Sequence, residues 1–214
     1  MRVISGTARG RRLREPAGYD IRPTGDMIKE SVFNIIQFDI EGRRVLDLFA
    51  GTGQLGIEAL SRGAKSAVFI DSRPESVKLI WENLRICGLT DAATVLARDA
   101  LRYLETGSRI LAEIVAAGEG GSGKEETGSI NETGCEKPVG SARFDLIFID
   151  PPYNSSLAAE AIQKIIKFDK LDTNGIMMCE TGAGCEMPVV SPPYYLEKEY
   201  RYGSVKISRY TRVN

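Results

Sequence analysis

From residue 43 onwards, short apolar runs alternate with amphipathic stretches, which is the pattern of strands and helices in turn. The apolar runs are nearly unbroken, as in parallel strands that helices cover on both faces. Five strands of this kind are predicted, at Val45–Phe49, Ala67–Ile70, Thr94–Ala97, Phe144–Ile149 and Ile176–Glu180. The pattern therefore predicts an α/β fold with a mostly parallel sheet.

Amphipathic stretches predict one helix before the first strand and further helices between the strands. The predicted spans are Gly25–Gln37, Leu55–Arg62, Pro74–Cys87 and Leu157–Phe168, with another helix starting at Ala100–Leu104. Pro74 suits the first turn of a helix, and Gly63 and Gly88 suit the position just past a helix end.

Antiparallel hairpins are predicted near both ends of the sequence. Their strands are Val3–Ser5 with Arg12–Arg14, and Tyr200–Tyr202 with Ser204–Tyr210. The first hairpin turns through Gly6 and Gly10. Residues 118–142 are rich in Gly, Glu, Ser and Thr with little to bury, which predicts a solvated insertion. We therefore expect an N-terminal arginine-rich hairpin appendage over residues 1–24 and one α/β domain over residues 25–214.

Composition excludes several classes of protein. Twenty-eight Lys and Arg residues stand against twenty-nine Asp and Glu, a net charge of −1, so the chain is not an overall basic protein that coats nucleic acid. It has no histidine, which excludes histidine acid–base catalysis and histidine-ligated metals. None of its four cysteines lies in a Cys-x-x-Cys pair. Because this spacing is typical of zinc sites, we expect no bound metal. No apolar run approaches the roughly 20 residues of a membrane span, and no signal peptide is expected. Reduced thiols fit a cytoplasmic location.

A glycine-rich turn joins the first strand to its helix, with the sequence Asp-Leu-Phe-Ala-Gly-Thr-Gly-Gln-Leu-Gly over residues 47–56. Its glycines let the backbone turn tightly and approach a ligand closely, and their spacing matches the dinucleotide fingerprint. Asp71 closes the second strand and Asp99 the third, at the sheet edge where ligands of open α/β sheets bind. Asp71 suits the hydroxyls of a ribose and Asp99 an adjacent base, although Asp99 also suits the cap of the next helix.

The acid at the start of this turn favours one cofactor. Asp47 precedes the first glycine by four residues, so its charge would repel a diphosphate and attract a cationic amino-acid tail. S-adenosylmethionine carries an ammonium, a sulfonium, a ribose and an adenine, and it fits these acids better than NAD does. We expect S-adenosylmethionine as the cofactor.

The most specific feature is the tetrapeptide Asp150-Pro151-Pro152-Tyr153, which follows the fourth predicted strand. Two prolines end that strand and stiffen the turn. A backbone carbonyl at this corner then joins the Asp150 carboxylate as a fixed acceptor, and Tyr153 suits stacking on a planar base. Two acceptors that grip the N–H bonds of an exocyclic amine direct its lone pair and stabilise the positive charge that develops. The corner therefore predicts methylation of an amino group, with guanine N2, adenine N6 and cytosine N4 all open.

The sequence resembles a known family. The glycine turn resembles the first motif of Rossmann-like class I methyltransferases, and the Asp-Pro-Pro-Tyr corner resembles their amino-methylating fourth motif. The segments Arg2–Gly6, Arg9–Leu13, Arg22–Thr24 and Glu30–Asn34 are similar to the bacterial 16S rRNA guanine-N2 methyltransferase family, which acts on the small ribosomal subunit. The resemblance covers about Met1–Leu104 and Phe144–Tyr210. It implies a mostly parallel seven-stranded sheet with a closing antiparallel hairpin.

The resemblance also implies roles for individual residues. Those expected to bind the cofactor are Thr24, Asp47, Gly51, Gly53, Asp71, Asp99 and Ala100. Those expected to hold the guanine amine are Asp150, Pro151, Pro152 and Tyr153. Those expected to bind RNA phosphates are Arg2, Arg9, Arg11, Arg12 and Arg22. The implied partner is 16S rRNA, within a partly assembled 30S subunit, and a monomeric enzyme is expected.

Other functions remain open on the sequence. An amino-methyltransferase for adenine N6 or another base of DNA or RNA would use the same corner. A protein-glutamine methyltransferase fits less well, because those enzymes resemble a form with Asn in place of Asp150. A non-catalytic RNA-binding assembly factor would not need the four acids at positions 47, 71, 99 and 150. An NAD-dependent oxidoreductase would lack an evident acid–base partner.

Overall fold

The structure is a computed structural model that describes residues 1–16, 23–106, 143–152 and 156–214. Its helices are α1 (Pro23–Ile35), α2 (Gln54–Ser61), α3 (Pro74–Cys87), α4 (100–106) and α5 (Leu157–Lys167). Its strands are β1 (Arg44–Leu48), β2 (Ser66–Asp71), β3 (Ala93–Ala97), β4 (Phe144–Ile149), β5 (Leu171–Gly182), β6 (Tyr194–Tyr202) and β7 (Val205–Arg212). The insertion predicted at 118–142 lies outside the described residues. Within those ranges, no helix is both long and apolar enough to cross a membrane.

The seven strands form one sheet in the order β3-β2-β1-β4-β5-β7-β6. Strands β1 to β5 run parallel to one another, and β7 lies antiparallel between β5 and β6. The predicted α/β fold with a mostly parallel seven-stranded sheet and a closing hairpin is therefore confirmed. The chain reverses its direction across the sheet between β1 and β4, and ligands of open α/β sheets bind at such a switch point.

The sequence pattern predicted α3 and β4 with their observed bounds, but it predicted β5 and β6 too short by several residues. β5 begins five residues before the predicted Ile176, through Asp172, Thr173 and the left-handed Asn174 (φ 59°). Because these residues are polar, the hydrophobic pattern does not predict the first part of β5. The strand pairs with β4 on one side and with β7 on the other. β6 begins before the predicted Tyr200, because it is an exposed edge strand whose charged residues give no hydrophobic pattern. β7 ends after the predicted Tyr210, at Arg212.

Helices cover both faces of the sheet, and each interface has its own apolar core. The front face is the side of the sheet that packs on α1, α2 and α3, and its strand residues include Phe69 and Phe148. The back face packs on α4 and α5, through residues such as Ile70 and Ile149. Since side chains of a strand alternate between faces, this assignment fixes the face of every residue at the strand ends.

The N-terminal segment folds back on itself, but it does not form the two predicted strands Val3–Ser5 and Arg12–Arg14. Only Arg2 and Arg12 form a β-bridge. The reason is that buried side chains take the backbone N–H groups that longer strands would use: Ile4 and Ser5 donate to Glu58 (2.7 and 2.9 Å). Three apolar residues of this segment are nevertheless buried in the front core, namely Val3, Ala8 and Leu13.

Candidate active site

Acidic residues meet at the carboxyl edge of the parallel strands. The strand register places Leu48, Ile70, Ile149 and Cys179 side by side on β1, β2, β4 and β5. The residues that follow them form the next row across the sheet, and they are Phe49, Asp71, Asp150 and Glu180. We call the glycine turn with Asp47 and Asp71 the β1–β2 half of the site, and Asp150 with Glu180 the β4–β5 half.

The acids of both halves lie on the front face. Because Ile149 and Cys179 belong to the back core, the alternation of side chains turns Asp150 and Glu180 towards the front. A small cavity lies at this position, and its lining includes Asp150 and Glu180 together with Val32 of α1 and Leu55 of α2. The two acids of the β4–β5 half therefore line a small, mostly apolar pocket between the sheet edge and the first two helices.

The glycine turn takes the close-approach conformation that the sequence predicts. Gly51 and Gly53 both have left-handed backbone (φ 56° and 78°). A Cβ at Gly51 would meet only the carbonyl oxygen of Phe49, at 3.9 Å, so the space in front of this backbone is open. Gly56 serves packing instead, because a Cβ there would lie 2.3 Å from the ring of Phe69. Phe49 itself has φ 60°, a strain of a kind that clusters at functional sites.

Backbone N–H groups hold the two acids of the β1–β2 half. Asp71 accepts hydrogen bonds from the N–H groups of Gly51 and Arg73, each at 2.9 Å. Asp47 is 1% exposed and accepts the N–H of Gly56 at 2.9 Å. Burial raises the pKa of Asp47 to about 8, against the effect of the Gly56 hydrogen bond and with a contribution from the charge of Asp71.

The other predicted cofactor residues lie at two helix starts. Asp99 is exposed and accepts the N–H of Arg102 at 2.9 Å, so it caps α4. Ala100 is buried in the first turn of the same helix. Thr24 lies in the first turn of α1, and its side chain is outside the described part of the structure. Asp99 follows β3, next to β2, so its placement beside Asp71 agrees with the predicted order, and its contact with a base stays a prediction.

The β4–β5 half contains the Asp-Pro-Pro corner. Asp150 comes directly after β4, Pro151 is buried and Pro152 is exposed. Burial raises the pKa of Asp150 well above its ordinary value, and the nearby charges of Glu180 and Asp47 raise it further. Tyr153 lies outside the described residues, so its predicted stacking role stays a prediction.

Sequence reasoning missed two polar residues of the candidate site, Glu180 and Gln54. Glu180 carries no motif and enters the site only because β5 pairs with β4. Gln54 opens α2 directly after the glycine turn, and its Oε1 is buried without a hydrogen-bond partner in the described part of the chain. A buried acceptor without a partner is rare and indicates a missing donor, but neither residue type is distinctive enough in the sequence to be singled out.

These residues fit S-adenosylmethionine. The open space before Gly51 admits a ligand against the backbone, and the carboxylate of Asp71 at the end of β2 suits ribose hydroxyls. Oε1 of Gln54, which has no hydrogen-bond partner among the described residues, and the buried Asp47 carry oxygens of the kind that accept hydrogen bonds from an ammonium group.

The arginines of the N-terminal segment form an exposed basic surface. Arg2, Arg9, Arg11 and Arg12 are all exposed, and the β-bridge puts Arg2 opposite Arg12. Arg22 lies outside the described residues. Asn83 ties this surface to the glycine turn, since its side chain accepts the N–H of Arg14 and donates to the carbonyls of Arg14 and Thr52 (2.7, 3.1 and 2.9 Å).

The sheet order, the glycine turn and the Asp-Pro-Pro corner define a class I methyltransferase that uses S-adenosylmethionine. The chain belongs to the family described as Conserved hypothetical protein 95, whose model matches residues 1–115 and 124–211. The predicted family membership is confirmed. The gap between the two matched ranges, residues 116–123, overlaps the insertion predicted at residues 118–142.

Known proteins are similar to this one over nearly the whole length of the chain. The chain is 34% identical over 212 residues to the "Putative rRNA methyltransferase YlbH" of Bacillus subtilis, covering 99% of both chains. It is 29% identical over 213 residues to the ribosomal RNA small subunit methyltransferase D of Escherichia coli K12, covering 99% of this chain and 90% of that one. Among solved structures, the "Putative methyltransferase yhhF" of Escherichia coli superposes with a TM-score of 0.74 at 24% identity, covering 100% of this chain and 98% of that one.

Proposed function

We propose that this protein transfers the methyl group of S-adenosylmethionine to the N2 amine of a guanine in small-subunit rRNA. The observation that carries the proposal is the register of β1 and β4, which pairs Leu48 with Ile149. Asp150 therefore lies one strand from the glycine turn, at the roughly 4.8 Å spacing of neighbouring strands. An amine held at Asp150 is close to a methyl group presented from that turn.

The residues of this chain contribute to the reaction by binding the amine and by stabilising the positive charge that develops on its nitrogen. When bound, S-adenosylmethionine supplies an electrophilic methyl group on a sulfonium. The carboxylate of Asp150 and a backbone carbonyl at Pro151 accept the two N–H bonds of the amine and direct its lone pair. As the nitrogen–methyl bond forms and the methyl–sulfur bond breaks, the nitrogen becomes cationic, and the charge of Asp150 stabilises it. The raised pKa of Asp150 makes its ionised form a good acceptor for the proton that the nitrogen then loses.

RNA as the substrate is supported by the basic surface and by the names of the relatives. Arg2, Arg9, Arg11 and Arg12 are exposed on the N-terminal segment, which Asn83 links to the glycine turn, and arginines bind phosphates with salt-dependent affinity. The Escherichia coli relative is named for the small-subunit rRNA. In this proposal the substrate is 16S rRNA in a partly assembled 30S particle, and the enzyme acts as a cytoplasmic monomer.

Mass mapping of rRNA from cells with and without the gene tests the proposal. We expect one N2-methylguanosine of 16S rRNA to disappear without the gene and to return when purified protein and S-adenosylmethionine are added to 30S particles from the deletion strain. The loss of N6-methyladenosine or N4-methylcytosine instead would contradict guanine N2 as the target. An unchanged set of modified rRNA nucleosides would contradict rRNA methylation.

A further inference from the structure

Glu180 is placed to read the base whose amine Asp150 holds. Cys179 pairs with Ile149 in the sheet, so Glu180 and Asp150 follow at the same level on neighbouring parallel strands. Both face the front side, and both line the same cavity. Neighbouring strands lie roughly 4.8 Å apart, so one planar ligand can contact both carboxyl groups.

The bases that carry an exocyclic amine differ in the ring nitrogen next to it. In guanine the N2 amine stands beside N1–H, which is a second donor. In adenine and cytosine the amine stands beside a ring nitrogen that carries only a lone pair. An ionised carboxylate accepts hydrogen bonds and donates none. In their ionised forms, Asp150 and Glu180 therefore match the donor edge of guanine and repel the edge of the other two bases.

We propose that Glu180 accepts the N1–H of the target guanine while Asp150 accepts its amine, and that Glu180 thereby selects guanine over adenine and cytosine. This inference rests on the proposed amino-methylation and names the residue that sets its base specificity. The mutual effect of the two groups supports their proximity, since the negative charge of Glu180 raises the pKa of Asp150. A ligand that donates N–H groups to both carboxyl groups relieves this repulsion.

Substitution Glu180→Gln combined with a base analogue tests the proposal. The Gln side chain keeps the size of Glu180 but brings an N–H donor. Small-subunit particles are reconstituted with rRNA that carries guanine or 2-aminopurine at the mapped target. The analogue keeps the amine at ring position 2 but has an acceptor at N1. Its different intrinsic reactivity cancels when the guanine-to-analogue ratio of kcat/KM is compared between the two proteins. We expect E180Q to lower this ratio by roughly 10- to 100-fold, the discrimination typical of a matched base-edge contact.

Matched variants separate base reading from a structural effect. Glu186→Gln removes a charge from the exposed loop that follows β5 and should leave the ratio unchanged. Glu180→Asp keeps the charge and should keep the guanine preference at a reduced rate. An active E180Q protein with the wild-type ratio would overturn the proposal, and if E180Q is inactive on both RNAs, loss of the preference in E180D would overturn it. If wild-type protein makes no N2-methylguanosine on the guanine particles, the proposed function fails instead.

Discussion

The two halves of the candidate active site hold their carboxylates by different means. In the β1–β2 half, backbone N–H groups of Gly51 and Arg73 donate to Asp71. In the β4–β5 half, Asp150 shares a cavity with Glu180, whose charge adds to burial in raising the pKa of Asp150. The first half is thus preorganised by its own backbone. The second brings together two carboxyl groups of like charge, so we expect the two halves to respond differently when they are altered.

The largest effect is expected for Asp150→Ala. This change removes the acceptor that holds the amine and stabilises its developing charge, so kcat for methyl transfer should fall by roughly 100- to 1,000-fold, as when one preorganised polar group is removed from an active site. The Kd for S-adenosylmethionine should not change, because the β1–β2 half is intact. Single-turnover transfer to 30S particles and calorimetry measure the two quantities. Near-normal turnover with unchanged cofactor binding would refute the role of Asp150.

The opposite pattern is expected for Asp71→Ala. Loss of a charge-assisted hydrogen bond costs about 1.5–3 kcal/mol, so the Kd for S-adenosylmethionine should rise by roughly 10- to 150-fold. Methyl transfer should recover at saturating cofactor, because the β4–β5 half still holds the amine. Arg73→Ala is the matched control, since it removes an exposed guanidinium near Asp71 but keeps the backbone N–H. If the D71A protein loses kcat and keeps its cofactor affinity, the division of the site into two halves is wrong.

The same contrast explains what the sequence could predict. Asp47, Asp71 and the glycine turn were found because local signals place them: a strand end, a turn and a helix start that follow one another within 25 residues. Glu180 was missed because it lies inside a strand with no motif and reaches Asp150, 30 residues earlier in the chain, only through the pairing of β4 with β5. The first N-terminal strand, Val3–Ser5, was wrongly predicted because Glu58, which accepts the N–H groups of Ile4 and Ser5, is more than fifty positions away.

A smaller effect, on stability, is expected from Asp47→Asn. Burial raises the pKa of Asp47 to about 8 from 3.8, so between these values the folded protein keeps a proton that the unfolded chain has lost. Stability should therefore fall as the pH rises towards 8, by at most about 1.4 kcal/mol per pH unit for this group. The Asn variant keeps an acceptor for the N–H of Gly56 but does not titrate.

Urea unfolding of both proteins from pH 5 to pH 8 measures the difference. Asp150, whose pKa is also raised, contributes a fall of the same sign in both proteins, so only the difference between them reports Asp47. We expect D47N to lose less stability than the wild type over this range. Parallel stability curves would show that Asp47 has an ordinary pKa and that the preorganised half does not hold a buried proton.

The smallest effect is expected for Tyr103→Phe, which tests whether every unpaired polar atom near the site serves a ligand. Tyr103 is 1% exposed on α4 in the back core, and its hydroxyl, like Oε1 of Gln54, has no hydrogen-bond partner within the described ranges. The two atoms lie on opposite sides of the sheet. Gln54 follows the glycine turn on the front face, whereas Tyr103 packs among apolar side chains on the back face. Removing an unsatisfied buried hydroxyl should leave stability unchanged or raise it by about 1 kcal/mol, with no change in the Kd for S-adenosylmethionine. A weaker cofactor affinity in Y103F would show that the adenine side of the site reaches through to the back face.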